Sequence, residues 1–220
     1  MGAFLENYGA MLVQGTWDTL YMSFLSALFA YLMGLPLGVA LAVTEPHHIL
    51  PRPHVNRILN TVVNIVRSVP FIILLIAVIP FTRWLVGTSI GVTASIVPLV
   101  IGAVPFVARL VESSMKELRK GIIEAATAMG ASPFQIIYKV MIPETMPSLV
   151  LGASITTITL IGYSAMAGAV GGGGLGDLAI RYGYYRYDTT LMMVTIVLLV
   201  LIVQGVQLAG TRLSKKINRQ

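Results

Sequence analysis

Glu124-Ala125-Ala126-Thr127-Ala128-Met129-Gly130-Ala131-Ser132 decides how this chain is read, because it is a polar-capable helical stretch lying between two long apolar runs. Gly121 to Met129 reads as a short helix, and Gly130 falls where a helix C-terminus takes a left-handed residue, which glycine adopts without steric cost. Ser132 then reads as the N-cap of a second helix, with Pro133 at its first position and Gln135 three residues after the cap, the pattern of a capping box. That helix is expected to end near Pro143, thirteen residues after Gly130. The 121–143 segment is therefore predicted to be a rigid helix–turn–helix. Small Ala125 and Ala126 permit close approach, and Glu124 brings a charge near the first helix's start, where the helix dipole favours it. Two readings stay open on the residues alone: the segment faces a soluble partner, or it lies as an amphipathic loop on a membrane surface.

The surroundings are lipid-like in composition. Hydrophobic residues make up 56% of 220 and charged residues 11%, against roughly a quarter charged in an ordinary soluble domain. Mean hydropathy is +0.83. Five windows are long and apolar enough to cross a hydrocarbon core, which takes about 20 helical residues: 17–43, 58–81, 91–110, 147–169 and 189–209. The first is too long and too far along the chain for a typical cleaved signal peptide, so it is expected to remain as an anchor. The whole of 1–220 then reads as one all-α transmembrane unit.

Charge orients the spans. Segments 44–57, 109–146 and 210–220 hold eleven bases (Arg52, Arg57, Arg109, Lys116, Arg119, Lys120, Lys139, Arg212, Lys215, Lys216 and Arg219), whereas the opposite side holds only Arg83, Arg181 and Arg186. The excess of bases on inner loops puts the N-terminus outside and the C-terminus in the cytoplasm, as five crossings require. Because the bases sit where topology places them, the net charge of +6 is no sign of nucleic acid. Tyr182, Tyr184, Tyr185 and Tyr187 with Trp17 and Trp84 fit an outer aromatic belt. Arg67 alone lies within a span, near its cytoplasmic end, where it either snorkels to the interface or contacts the loop helices.

Breakers are frequent: Gly34, Pro36 and Gly38 in the first span, Pro70 and Pro80 around the second, Pro98 and Pro105 in the third. Gly34-xxx-Gly38 suits close helix packing; helices kinked at such residues also suit motion. In the fourth span Tyr163, Ser164 and Met166 are candidates to line a path, with Met166 as an apolar gate, ordinary core packing being the alternative. Gly171, Gly172, Gly173 and Gly174 allow backbone to approach another chain closely, or form a loop without contacts. His47, His48 and His54 share a proline-broken loop with only Glu45 as a carboxylate, which favours solvated histidines over a metal site. Without cysteine there is no disulfide, thiolate ligand or thiol nucleophile.

Glu-Ala-Ala, three residues, Gly130 and then Val140-Met141-Ile142-Pro143 resembles the coupling motif of bacterial ABC importer permeases, whose usual ending is Ile-x-Leu-Pro. Arg67-Ser68-Val69-Pro70-Phe71 resembles the Arg-x-x-Pro segment of their amino-acid members. Gly162-Tyr163-Ser164-Ala165-Met166 with the run from Gly168 to Gly176 is similar to the methionine-uptake branch, although glycine betaine permeases share a related Gly-Gly-Leu-Gly. The resemblance implies a type I importer permease in a bacterial cytoplasmic membrane, paired with a second copy, two ATPase subunits and an extracytoplasmic substrate-binding protein. It also implies that Glu124, Ala125, Ala126, Met129, Gly130 and Ala131 couple to the ATPase; the Gly171–Gly174 run, read from its residues, is a candidate contact at the outer face or with the binding protein. Methionine is the implied solute, with another small amino acid or betaine as the alternative.

The residues agree on one point. No lysine follows a Gly-x4-Gly run, so there is no phosphate loop here, and ATP with its Mg would be held by another chain. With no internal repeat in the chain, a path between two related halves calls for a second copy. An ion-coupled carrier would place Asp, Glu or His at mid-membrane, and none stands mid-span. A membrane protease is weaker still, since all three histidines lie far from Ser164.

Overall fold

The computed structural model describes residues 2–218, with the side chains of residues 2–5 outside that description; Arg219, counted above among the bases, lies outside the described residues. The chain is all-helical: α1 (Gly2–Val43), α2 (Pro53–Ser68), α3 (Phe71–Ala77), α4 (Ile79–Val86), α5 (Val92–Lys116), α6 (Lys120–Ala128), α7 (Pro133–Ile136), α8 (Ile142–Gly168), α9 (Gly174–Leu178) and α10 (Thr189–Ile217). Two π-helical turns, Ile137–Met141 and Ala179–Tyr184, follow α7 and α9. Among the described residues four helices are long and apolar enough to cross a membrane, and a fifth crossing exists if the bent pair α2–α3 counts as one.

That bent pair differs from expectation. In place of one helix over 58–81, α2 and α3 meet at 99°. The cause is Pro70, which withholds an N–H and pushes the residue before it out of the helical region; Val69 is extended, at φ −82 and ψ 123. Pro80 sits in the first turn of α4, where its missing donor costs nothing. Elsewhere proline is absorbed. Pro36, Pro98, Pro105 and Pro147 all lie inside continuous helices.

α1 and α5 form the longest packed seam, with α8 against both and α10 against α8. Gly34 and Gly38 lie on this seam, against Val107 and Val111 of α5. The main core runs along it through Met22, Ala30, Leu99, Val107, Val111, Met115, Met141 and Leu160. α5 runs past its expected end at 110 to Lys116, and that last turn carries a buried carboxylate. Glu112, 5% exposed, pairs with Arg109 and with Lys116, at 2.9 Å. Lys116 also reaches Glu45 (3.2 Å), and Arg109 donates to Asn64 Oδ1 of α2 (2.8 Å), so one charged network fastens α2, α5 and the loop after α1.

Candidate functional site

The helix–turn–helix exists, with its ends built as the sequence prescribes. Gly130 takes φ +80. Ala131 N–H donates to Ala126 O (3.1 Å) and Gly130 N–H to Thr127 O (2.9 Å), the bond pair of a Schellman turn. Ser132 and Gln135 complete a reciprocal capping box, Ser132 N–H donating to Gln135 Oε1 (2.9 Å) and Gln135 N–H to Ser132 Oγ (3.4 Å). Two expectations are corrected. Helix α6 starts at Lys120, so Glu124 stands in its second turn, beyond the first turn in which the dipole acts. Nor does the second helix end at Pro143. α7, the π-turn and α8 run as one helix from Pro133 to Gly168, with Pro143 in the first turn of α8, directly after the π-turn.

Burial sorts the residues of this segment. Glu124, Ala125 and Gly130 are exposed, Ala131 is half-buried, and Met129 is 81% exposed. Ala126, by contrast, is 3% exposed and belongs to the chain's own core beside Ile136 and Met141, so its small size serves internal packing. Two aromatics join the exposed surface that sequence reasoning passed over: Phe134 (75% exposed) and Tyr138 (65%), whose rings lie nearly parallel with centroids 6.4 Å apart. Their signal was present as an aromatic pair at i, i+4 on a helix start outside the apolar spans.

The predicted path residues separate. Ser164 is buried, and its hydroxyl donates to Ile161 O of the same helix (2.8 Å), so it does not join an open face. Tyr163 is half-buried and stacks on Phe71 of α3, centroids 4.2 Å apart and planes at 4°. Met166 is 48% exposed and continues a helical stripe of Leu151, Ile155 and Gly162, all exposed. A Cβ on Gly162 would meet nothing within 4 Å. Among the described residues this apolar stripe on α8 stays partly uncovered, with Leu151 37%, Ile155 39% and Met166 48% exposed.

The glycine run is a knot of internal contacts. Gly171, Gly173 and Gly174 have φ of +82, +80 and +78. Gly171 O accepts from Gly91 N–H (2.9 Å), and Leu175 N–H donates to Thr19 Oγ1 (2.9 Å). A Cβ on Gly172 would stand 2.6 Å from Ser95 Oγ, and one on Gly174 2.7 Å from Thr19 Oγ1. The close approach these glycines permit is therefore to α1 and α5 of the same chain, with Gly171 and Gly173 left half-exposed.

At the same end Tyr184, Tyr185 and Tyr187 are exposed, as a belt requires, but Tyr182 is occupied. Its ring meets Tyr8 edge-on (6.2 Å) and carries the guanidinium carbons of Arg181 and Arg186 at 5.3 and 4.6 Å. Of the histidines, His48 is half-buried with Nδ1 lacking a partner. Burial first, then the nearby Lys116 charge, pushes its pKa below the usual histidine value, against the pull of Glu45. Among the described residues no three His, Asp or Glu side chains converge on a metal position.

Residues 34–219 match the profile of the family described as binding-protein-dependent transport system inner membrane component. The chain is 51% identical to the probable D-methionine transport system permease protein MetI of Vibrio cholerae, over 96% of this chain and 93% of that one. It is 55% identical to the D-methionine transport system permease protein MetI of Escherichia coli, over 72% and 73%. Among solved structures it superposes on a chain of the MetNI methionine ABC transporter, in an inward-facing conformation, with a TM-score of 0.96 and 52% identity over 97% of this chain and 99% of that chain.

Proposed function

This chain belongs to the family of binding-protein-dependent transport system inner membrane components, and on that premise we propose that it is the membrane-spanning subunit of an ATP-driven methionine importer. One observation carries the reading. A patch of Glu124, Ala125, Met129, Phe134 and Tyr138 stands exposed on a capped, rigid helix–turn–helix that continues without a break into α8. Aromatic and methionine side chains are what the buried centre of a protein interface favours. A capped turn holds them in place without the entropy cost of ordering a loop. The patch docks the ATPase, and α8 carries the response into the membrane.

In this reading two copies of 1–220 meet across the partly exposed α8 stripe, with Tyr163 and Met166 beside the path. Two ATPase subunits bind ATP and Mg, because this chain offers no phosphate loop. The patch and the basic chain ends face the cytoplasm, and the N-terminus lies outside. The half-exposed Gly171 and Gly173 then face the extracytoplasmic binding protein. The names of the relatives and of the superposed transporter point to methionine, with the D-isomer among the solutes to test.

The experiment is labelled methionine uptake by cells expressing this chain with an ATPase and binding protein of the same system, with and without Glu124→Lys. Uptake should require ATP and collapse in the variant while the protein stays at wild-type level in the membrane. Uptake that follows an ion gradient and ignores the substitution would sink the proposal.

A further inference from the structure

Between α1, α8 and α10 runs a groove of about 630 Å3, its walls extending from Phe24 to Tyr31 and from Gly205 to Leu213. Its floor is α8, where Ser154 and Thr157 are buried. Both hydroxyls are spent on carbonyls of their own helix, Val150 O (3.3 Å) and Ala153 O (2.8 Å), and the Tyr31 hydroxyl donates to Leu149 O (3.1 Å). None of the hydroxyl donors lining the groove is left over for a polar solute, so the surface it offers is hydrocarbon. Val150, Ala153, Ser154 and Thr157 lie about 140° round α8 from the stripe of Leu151, Ile155, Gly162 and Met166. The groove is therefore turned away from the face proposed for the second copy.

Tyr31 on Leu149 O, and Ser214 Oγ donating to Pro147 O (2.8 Å), pin α1 and α10 to α8 where the groove ends. Two bases stand at that end. Arg212 follows Ala209 by three residues and Lys216 follows Leu213 by three, so both lie along the groove's side of α10. Helical side chains lean toward the N-terminus, which turns these two back over the groove. Both are exposed, and among the described residues neither makes an ion pair. α10 has no carboxylate, and Glu144, the one carboxylate of α8, falls two turns before Leu151, on the side of the stripe.

We propose that this groove holds an acyl chain of an anionic phospholipid whose headgroup is bound by Arg212 and Lys216, so that each permease chain carries a lipid of its own. This rests on the reading above in one respect, that the C-terminal end of α10 lies at the cytoplasmic surface. A hydrocarbon groove by itself accepts any lipid of the bilayer; the headgroup supplies the selection. Bases just beyond a membrane helix attract an anionic surface, and a basic pocket between helices binds an anionic headgroup. Arginine offers phosphate oxygens a planar fork and lysine adds a point charge. From Gly205 to Leu213 the groove runs about 12 Å along α10 at 1.5 Å per residue. It therefore takes the part of a chain next to the headgroup and leaves the tail in the bilayer. Among the long apolar spans α10 is the least covered by the protein, 11% of its window being buried against 33% or more in the others. α1 and α10 both pack on α8 but scarcely on each other, and a chain lying between them fills that gap.

The test uses the permease–ATPase complex, stripped of lipid in detergent and then offered an equal mixture of phosphatidylglycerol and phosphatidylcholine with the same acyl chains. Native mass spectrometry counts the lipids retained. Phosphatidylglycerol should be kept, preferred about thirtyfold, the product of about fivefold for each base near an anionic headgroup. Arg212→Gln combined with Lys216→Gln should remove the preference, and Arg57→Gln, a base on α2, should leave it unchanged. Gly205→Phe should displace both lipids; a Cβ at that position meets nothing within 4 Å, so helix packing does not resist the substitution. Equal retention of the two lipids by the wild-type complex would overturn the proposal, as would undiminished retention in Gly205→Phe. A Gly205→Phe complex that keeps its lipid but loses association with further copies would give the groove to a protein helix, and would overturn it too. A wild-type complex that keeps phosphatidylglycerol through these bases, yet imports no methionine into vesicles, would uphold the lipid site and remove the importer reading.

Discussion

Gly38→Ala is the substitution whose effect the structure sets most directly. A Cβ at Gly38 would lie 2.5 Å from Ala108 O and 2.6 Å from Val111 Cβ. Neither neighbour can swing aside, since one is backbone and the other is fixed to it. Ordinary carbon contacts sit at about 3.5–4.0 Å, so α1 and α5 must part by about 1 Å, a gap that forfeits a quarter to a half of each contact's attraction. Overpacking of this kind costs about 1–3 kcal/mol. With rigid neighbours on the longest seam of the fold, the upper end applies, about 3 kcal/mol, or about 150-fold in the folding equilibrium. Gly34→Ala, facing Val107 Cβ at 2.7 Å and Val104 O at 2.9 Å, should cost nearly as much. Gly9→Ala and Gly205→Ala meet nothing within 4 Å and should gain about 0.5–1 kcal/mol from helix propensity. Equilibrium unfolding of the purified chain in mixed micelles by rising SDS fraction measures all four. A Gly38→Ala protein within about 0.5 kcal/mol of wild type, the usual range for a surface change, would refute the argument that the two backbones touch here.

Phe134→Ala should weaken assembly with the ATPase about a hundredfold. A Phe that is 75% exposed offers roughly 110 Å2 for burial, worth about 3 kcal/mol at 25 cal/mol/Å2; unchanged co-purification of the two subunits would remove the aromatic pair from the interface. Met166→Ala should raise ATP hydrolysis without uptake, or admit solute leak, if the thioethers of two copies close the path; a wild-type profile in vesicles would return Met166 to packing. His48 has a depressed pKa, so the unfolded chain takes up a proton near pH 6.5 before the folded one does. Stability should be flat above that value and fall as pH drops below it, and His48→Phe should flatten the slope; a slope of the opposite sign would contradict the buried, neutral imidazole.

What was legible in the sequence follows from how local each signal is. The Schellman turn at Gly130 and the capping box at Ser132 depend on residues within one turn of each other, and both stand as read. Apolar run length placed α5, α8 and α10 for the same reason. The second span misled because hydropathy sees only that 58–81 is apolar, whereas the 99° bend depends on the backbone of Val69 before Pro70. Pro143 misled in the opposite sense: proline ends an isolated helix, yet a π-turn upstream lets this one continue. Ala126, Ser164 and the glycine run show the limit for site residues. Their types suited an interface, but which way each faces is decided by contacts with Ile136, by the helix's own carbonyl and by Thr19 and Ser95, and spacing records none of these.

The unbroken helix from Pro133 to Gly168 has a mechanical consequence. Phe134 and Met166 are the two ends of one lever about 48 Å long at 1.5 Å per residue. A tilt of only about 5° imposed where Phe134 sits would sweep Met166 through about 4 Å, comparable to the width of a side chain. No relay of intermediate contacts is needed to carry a force across the bilayer. Such a lever works only while it stays stiff, and the π-turn at Ile137–Met141 is where its regular α-helical hydrogen bonding is interrupted.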